Sequence, residues 1–552
     1  MILQTLKKHV ENVIFDVFSY SITIEYAKKG DAQLACPLFQ LSKEKGLSPQ
    51  EVFQQLEAPL NQIEGIASVS FERGFLNVYI HQQHFIYQTI EAIRHHLYLN
   101  NKKEKEVIVI DYSSPNIAKR FSVGHIRSTV IGAALRRLFR FLGDDVEGIN
   151  HLGDWGTQFG KMIYAYLHYG YEGMLDDEPI AKLQELYVQF HDEEKVNPSL
   201  ADDARKIFLE LENGNPTYLE LWQLFKDLSL KEFEYYYKLL NVDFDHVIGE
   251  SFYESYMADA VKEMEDKGLL VLDDDAMIIP LGDDMPPALI KKKDGSTLYM
   301  TRDVAAAIYR HKHFKASTIL YVVGNEQALH FKQLQRVLDQ MGYKIRIEHV
   351  NFGLVLQDGK KMSTRKGGVH TLQAVFDEAI ALSKQAIEEK NPQLEHKDQV
   401  AQSVAVGAII FNDLKNEKHL NIEFNLSNML KFEGQTGPYI QYTSVRMAAL
   451  LRQLEPEVHE EVDITSDHAM ALSMVLNQFE DTLIRARSSF QPSIIARYAL
   501  NLSQTFNSWY GQQKMITDDI KTSQMMLSLV EASREILNQS MRLLGIDVLD
   551  YM

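Results

Sequence analysis

The spacing of apolar and polar positions divides the chain into regions of different period. Residues 1–18 alternate charge with apolar residues at helical spacing, which predicts an amphipathic opening helix. SITIEYA then reads as a strand, SPQEVFQQLEAPL as a helix opened by Ser48 and Pro49, and FLNVYIH as an alternating strand. The first hundred residues are therefore a small α/β unit, and the charged run NKKEKE at 101–106 reads as a linker. VIVIDYSSPN changes the pattern. A short, wholly apolar run passes straight into a Ser/Pro/Asn loop, as strands buried in a parallel sheet do. Residues 121–142 follow with Ile126, Val130, Ala133, Ala134, Leu138 and Leu142 on one helical face. Strand, loop and helix in that order open a nucleotide-binding α/β fold. Residues 171–250 are helical and acidic and read as an insertion, after which strand-like runs return in STILYVVG and RIEHVNFGLVL. Beyond KNPQLEHKD, at 391–398, the pattern is helical with no convincing strand.

Composition narrows the class. With 552 residues, 45% of them apolar and 24% charged, the chain can bury several cores, which excludes a disordered or disulfide-stapled protein. Its single cysteine, Cys36, reads as a small buried hydrophobe and can build neither a Cys-rich zinc site nor an internal disulfide. No apolar stretch reaches membrane-spanning length, and the N-terminus lacks the features of a signal peptide. A reducing compartment, the cytoplasm, is expected. The formal net charge of −19 argues at first against a nucleic-acid partner. Its distribution reverses that reading. Residues 171–290 alone carry −20, whereas 101–140 carry +6 and 291–370 carry +9. Residues 1–100 sum to −2 and 401–552 to −6, so RNA binding would rely on local basic patches.

Two stretches carry candidate chemistry. In SSPNIAKRFSVGHIRSTVIG (113–132), Gly124 lets a ligand approach a helix start, where unpaired N–H groups attract phosphate. His125, Lys119 and Arg127 add donors for a triphosphate. Taken alone, the same segment is equally a glycine loop whose histidine caps a helix. In QDGKKMSTRKGGVH (357–370), Lys360, Lys361, Arg365 and Lys366 stand among Ser363, Thr364 and three glycines. Such a basic, hydroxyl-bearing loop suits a lid over polyphosphate, although a solvated charge run has the same composition.

Together the two stretches resemble the signatures of class I aminoacyl-tRNA synthetases, here Ser122-Val-Gly-His125 and Lys361-Met-Ser363. DYSSPNIAKRF, NHLGDWGTQFG, LYMTRDVAAA, KFEGQTGPYIQYTSVR and the ending LLGIDVLDYM narrow the resemblance to the arginyl-tRNA synthetases, over essentially the whole chain. The resemblance implies an α/β fold: a Rossmann-type parallel-sheet catalytic domain at 101–390 with its helical insertion near 171–250. It also implies an N-terminal tRNA-elbow-binding α/β domain at 1–100 and an all-α anticodon-binding domain at 391–552. The implied substrates are ATP, arginine and tRNA(Arg), with Mg²⁺ accompanying ATP, no structural zinc, tRNA-dependent activation and a monomeric enzyme.

The resemblance also assigns residues. Ser122, Gly124, His125, His330 and Lys361 would meet ATP, and Lys119, His125, Lys361 and Ser363 would be catalytic. Two departures qualify this: Ser122 replaces the usual histidine, and Thr364 stands where a second lysine is usual, a charge that Lys119 is expected to supply. A guanidinium is best read by a carboxylate, and Tyr299 and Asp303 share one face of a helix or its first turn. Ser114, Asn116, Gln327 and, as a second carboxylate, Glu250 would complete the arginine site. Asn77 is a candidate for the tRNA elbow, and Tyr439, Tyr442, Tyr510 and Met552 for stacking on anticodon bases. A synthetase-like RNA-binding or regulatory protein without charging activity is the alternative.

Overall fold

The computed structural model describes residues 1–27, 31–99, 105–274, 276–291, 299–362 and 371–552. Ser363, Thr364 and most of the linker therefore lie outside the described residues, as does the side chain of Lys361. The opening helix Ile2–Phe18 turns Leu3, Leu6, Val10, Ile14 and Phe18 inward. It packs with a four-stranded antiparallel sheet of order β1-β2-β4-β3: β1 (Glu25–Tyr26), β2 (Leu34–Pro37), β3 (Ile66–Glu72) and β4 (Phe75–Ile80). Only two residues of SITIEYA pair as strand; the Ile24 N–H donates instead to the Glu11 side chain at 3.0 Å. This unit docks on the C-terminal helices through Leu3 N–H to Asn477 (3.2 Å) and the Tyr26 hydroxyl to Asp481 (2.6 Å).

The central sheet takes up β5 (Val107–Asp111), β6 (Asp145–Asn150) and β7 (His246–Val247). A small antiparallel sheet, β8 (Val271–Asp273), β9 (Ala276–Ile279) and β10 (Ala288–Lys291), intervenes before β11 (Thr318–Tyr321) and β12 (Arg346–His349) return to it. All five central strands are parallel, in the order β12-β11-β5-β6-β7. From β5 the chain crosses by the helix Val123–Phe141 to β6 on one side, whereas β11 lies on the other. The strand order thus reverses between β5 and β11. A crevice at the carboxyl ends of those strands is where such sheets bind ligands. The insertion forms the helices Pro179–Val196, Leu200–Glu212 and Pro216–Leu239 beside it.

The C-terminal region is helical, with one correction to the sequence reading. A two-residue strand, β15 (Ile422–Glu423), pairs in parallel with β13 (Val355–Gln357), which forms a hairpin with β14 (Lys360–Lys361). Two residues are too short to show any period. The second signature is therefore hydrogen-bonded to the start of the C-terminal region.

Candidate active site

The loop after β5 is built under strain. Ser113, Ser114 and Ala118 all have positive φ (69°, 50° and 57°), a conformation that costs energy away from glycine. Buried polar contacts hold it there. Ser113 N–H donates to Ser128 Oγ (2.9 Å), Ser114 N–H to Asn150 Oδ1 (3.2 Å) and Ala118 N–H to Ser229 Oγ (2.8 Å). Asn116 crosses directly over Gly153, where any Cβ would collide with its side chain.

The loop delivers Ser122 to the N-cap of the helix Val123–Phe141. His125 Nδ1 accepts the Ser122 N–H at 2.9 Å and lies 3.1 Å from the Ser122 hydroxyl. The capping role and the chemical one are compatible, because an accepting Nδ1 places the ring proton on Nε2. Burial, with Lys119 adding to it, pushes the His125 pKa down to about 4, so the ring is neutral and donates from Nε2 at neutral pH. Ser122 thus helps to orient the His125 ring. Gly124 is exposed, and a Cβ there would meet only the Ser122 hydroxyl at 3.6 Å. The chain's own packing does not demand glycine at this helical position.

These residues line a cleft of about 3220 Å³ together with Gln357, Asp358, Lys360 and Met362 of the β13–β14 hairpin. Lys119 lines the same cleft, 5.7 Å from the ring of Tyr187 on the insertion. Two stretches more than 200 positions apart in sequence thus face one cavity.

Beside the cleft, the carboxyl ends of β5, β6, β7 and β11 assemble an acidic pocket. Asp303, on the helix Tyr299–Phe314, meets His330 Nε2 at 2.5 Å. Asp111 closes β5 and accepts from Ser114 Oγ (2.7 Å) and from the fully buried Arg310 (2.7 Å). Glu250 and Glu254 take the two ends of Arg302, at 3.0 and 2.9 Å. Asp154, wholly buried, holds Lys226 (2.8 Å) and both the N–H and hydroxyl of Ser251 (2.8 and 2.9 Å). Among the described residues five carboxylates face three cations here, an excess of negative charge suited to a cationic ligand. Burial, reinforced by Asp303, Asp154 and Glu254 and opposed by Arg302, raises Glu250 to about 7.

Three sequence models of protein families cover the chain: the arginyl-tRNA synthetase N-terminal domain over residues 1–80, the class I (R) tRNA synthetase catalytic domain over 89–426, and the DALR anticodon-binding domain over 440–552. An arginine–tRNA ligase of Exiguobacterium sp. is 45% identical over 94% of this chain and 93% of its own. The arginine–tRNA ligase 1 of Bacillus thuringiensis subsp. konkukian is 42% identical over 99% and 100%. The chain belongs to the arginyl-tRNA synthetase family. As a member it is a ligase that forms aminoacyl-tRNA. In fold it matches the solved arginyl-tRNA synthetases of Thermus thermophilus (TM-score 0.86, 22% identity, all of both chains) and Plasmodium falciparum (0.82, 24%, all of this chain and 99% of that one).

Set against that family, the structure groups most of the sequence candidates. Ser122, Gly124, His125 and Lys119 share the cleft. Ser114, Glu250, Asp303 and His330 belong to the acidic pocket, and Asn116 lies against Gly153, the residue before Asp154. Tyr299, 72% exposed, and Gln327, exposed on the turn Asn325–Gln327, stand at the rim of the pocket without a closed site around them. His330, expected over the nucleotide, meets Asp303. In the helical region Arg446 lies between Tyr442 and Tyr510, 5.0 and 5.2 Å from their rings, and Asn507 donates to the Tyr439 hydroxyl at 3.0 Å. Tyr442 also meets Phe432, which packs against the same small cluster as Met552, and Arg446 and Asn507 link Tyr442, Tyr510 and Tyr439. Asn77 stands in β4 of the N-terminal sheet, remote in sequence from them. Asp111, Arg302, Arg310 and Arg446 were not candidates in the sequence, because their partners lie in distant segments or because nothing local marks them.

Proposed function

We propose that this chain joins arginine to tRNA(Arg) in two steps within the cleft and the acidic pocket. In the first, the carboxylate oxygen of arginine attacks the α-phosphorus of ATP and pyrophosphate leaves. In the second, a hydroxyl of the terminal ribose attacks the carbonyl carbon of the adenylate and AMP leaves. Neither step needs a covalent bond to the protein, so its contribution is positioning and charge stabilisation. The His125 Nε2–H and the N–H groups at the helix start would donate to phosphate oxygens, with Gly124 leaving room for them. Lys361 and Ser363 would approach from the hairpin and Lys119 from the loop after β5. Asp303 and Glu250 would accept the guanidinium, Tyr299 would pack on its plane, and Ser114, Asn116 and Gln327 would hold the other end. Mg²⁺ would be carried by phosphate and water. No helix among the described residues is long and apolar enough to cross a membrane, and we place the enzyme in the cytoplasm as a monomer. Tyr439, Tyr442, Tyr510 and Met552 would receive anticodon bases, and Asn77 the tRNA elbow.

The observation that carries this reading is the meeting of both signature stretches on one cleft beside a pocket with excess carboxylate. Purified protein assayed with ATP, each amino acid and total tRNA should exchange pyrophosphate and charge tRNA with arginine alone, and only with tRNA present. A folded protein that binds tRNA but supports neither reaction would establish the regulatory alternative.

Glu250 gives the reading a pH signature. A carboxyl raised to about 7 is neutral below that pH and anionic above it, so arginine binding strengthens as pH rises. The apparent KM for arginine should fall on the order of tenfold between about pH 6 and 8 as the ionised fraction grows. Glu250→Gln should flatten that profile, and an unchanged slope in the variant would remove Glu250 from arginine recognition.

A further inference from the structure

One fully buried cation lies outside both binding regions and touches the roots of each. Arg127 follows His125 by two positions on the signature helix, but it is not the triphosphate donor expected from the sequence: its side chain is buried among protein partners and does not line the cleft. Its guanidinium reaches Asp413, itself buried, at 3.2 Å near the end of the helix Lys397–Leu414. It also donates to the carbonyls of Gly353 (2.9 Å), Leu420 (2.7 Å) and Lys418 (3.3 Å). Gly353 leads into β13, while Lys418 and Leu420 lead into β15. Those two strands are joined above the guanidinium by Ile422 N–H to Leu354 O (2.9 Å) and Phe424 N–H to Leu356 O (2.8 Å). Leu356 pairs in turn with Lys361. A Cβ on Gly353 would lie 2.5 Å from the Leu420 carbonyl, so the two chains have no room to separate around a larger residue.

The same helix, Lys397–Leu414, leads to the tyrosine surface. Its Gly407 carbonyl lies against Gly437, where any Cβ would collide with it, at the start of the helix Gly437–Leu451. That second helix carries Tyr439, Tyr442 and Arg446. Lys415 Nζ donates to the Gln435 carbonyl at 3.0 Å and closes the same contact.

We infer that Arg127 is a positioning residue, which fixes the Lys361 hairpin against the His125 helix and joins both to the helices bearing the tyrosine surface. RNA seated on that surface then acts on the hairpin through the Asp413–Arg127 junction and β15. The inference rests on the reading above, in which the hairpin and His125 face ATP and the tyrosines face tRNA. A planar fork suits this junction because one guanidinium serves four partners from three segments; an ammonium cannot hold that geometry.

Two measurements on the full-length protein test it. In the wild type, hydrogen exchange of the backbone amides at 353–362 should slow at least several-fold when tRNA is added without ATP or arginine. Unchanged exchange there, with tRNA demonstrably bound, would overturn the inference while leaving the enzymatic reading intact. Absence of any tRNA binding would overturn both. In steady-state pyrophosphate exchange, Arg127→Lys and Asp413→Asn should each raise the KM for ATP at least tenfold, with the KM for arginine and the affinity for tRNA within about twofold. The double variant should lose less than the product of the two, as residues of one junction do. A fall in kcat alone, matching the fraction of protein unfolded, would reduce Arg127 to a structural residue and overturn its positioning role.

Discussion

Replacing Asp303 by alanine should raise the KM for arginine by roughly 30- to several-thousand-fold, while leaving that for ATP within a few-fold. The range follows from truncating one partner of a hydrogen-bonded charge pair, which costs about 2–5 kcal/mol, at about 1.4 kcal/mol per factor of ten. The selectivity follows from geometry. Asp303 stands on the helix Tyr299–Phe314, with its carboxylate on His330, whereas the His125 and Lys360 walls belong to the neighbouring cleft. Its neighbours already hold arginines, Asp111 pairing with Arg310 while Glu250 and Glu254 share the single Arg302. An added guanidinium therefore finds Asp303 as the carboxylate whose partner is a histidine rather than an arginine. Asp303→Asn keeps the shape but replaces one accepting oxygen with a donor, and it should be nearly as damaging. Steady-state pyrophosphate exchange with each substrate varied separately measures both values. Equal losses for arginine and ATP would show that Asp303 supports the site as a whole and does not read the amino acid.

The contrast between Asp303 and Arg310 shows what could be read in advance. Tyr299 and Asp303 are four residues apart, and the helical period alone places them together. Arg310 is on the same helix, but its meaning lies in Asp111, 199 positions away, and no local pattern discloses that pair. The pairing of Arg127 with Asp413, 286 positions away, is equally hidden, and locally Arg127 reads as a phosphate donor beside His125. The central sheet was legible because β5 and β11 are uninterrupted apolar runs, the mark of strands covered on both faces. β15 was not, because two residues carry no period and its pairing is decided by the approach of β13. The signature residues were legible as a group, but the division of labour between Ser122 and His125 was not. The contact of Ser122 with the ring arises from the turn into the helix, which the four residues do not disclose by themselves.

The second large effect is expected at Lys119. Alanine there should lower kcat for pyrophosphate exchange on the order of 10²- to 10³-fold, the usual cost of losing one preorganised group that meets developing charge. The KM for arginine should stay within a few-fold. The argument begins with Thr364, which stands where a second lysine would otherwise reinforce Lys361, so the hairpin brings less positive charge to the leaving pyrophosphate. Lys119 lines the same cleft, near enough to His125 to help hold that ring neutral. A neutral histidine donates a hydrogen bond but no charge, which leaves the lysines to answer the charge that grows on the β-phosphate. The aromatic face of Tyr187 lies 5.7 Å from the ammonium, a contact that leaves the charge of the lysine in place. Lys119→Arg should recover part of the rate because charge is restored, whereas Lys119→Gln, which keeps length and hydrogen bonding, should resemble alanine. Recovery by glutamine equal to that by arginine would show that Lys119 serves by its hydrogen bonds. Exchange within a few-fold of wild type in the alanine variant would return the compensating charge to the hairpin itself.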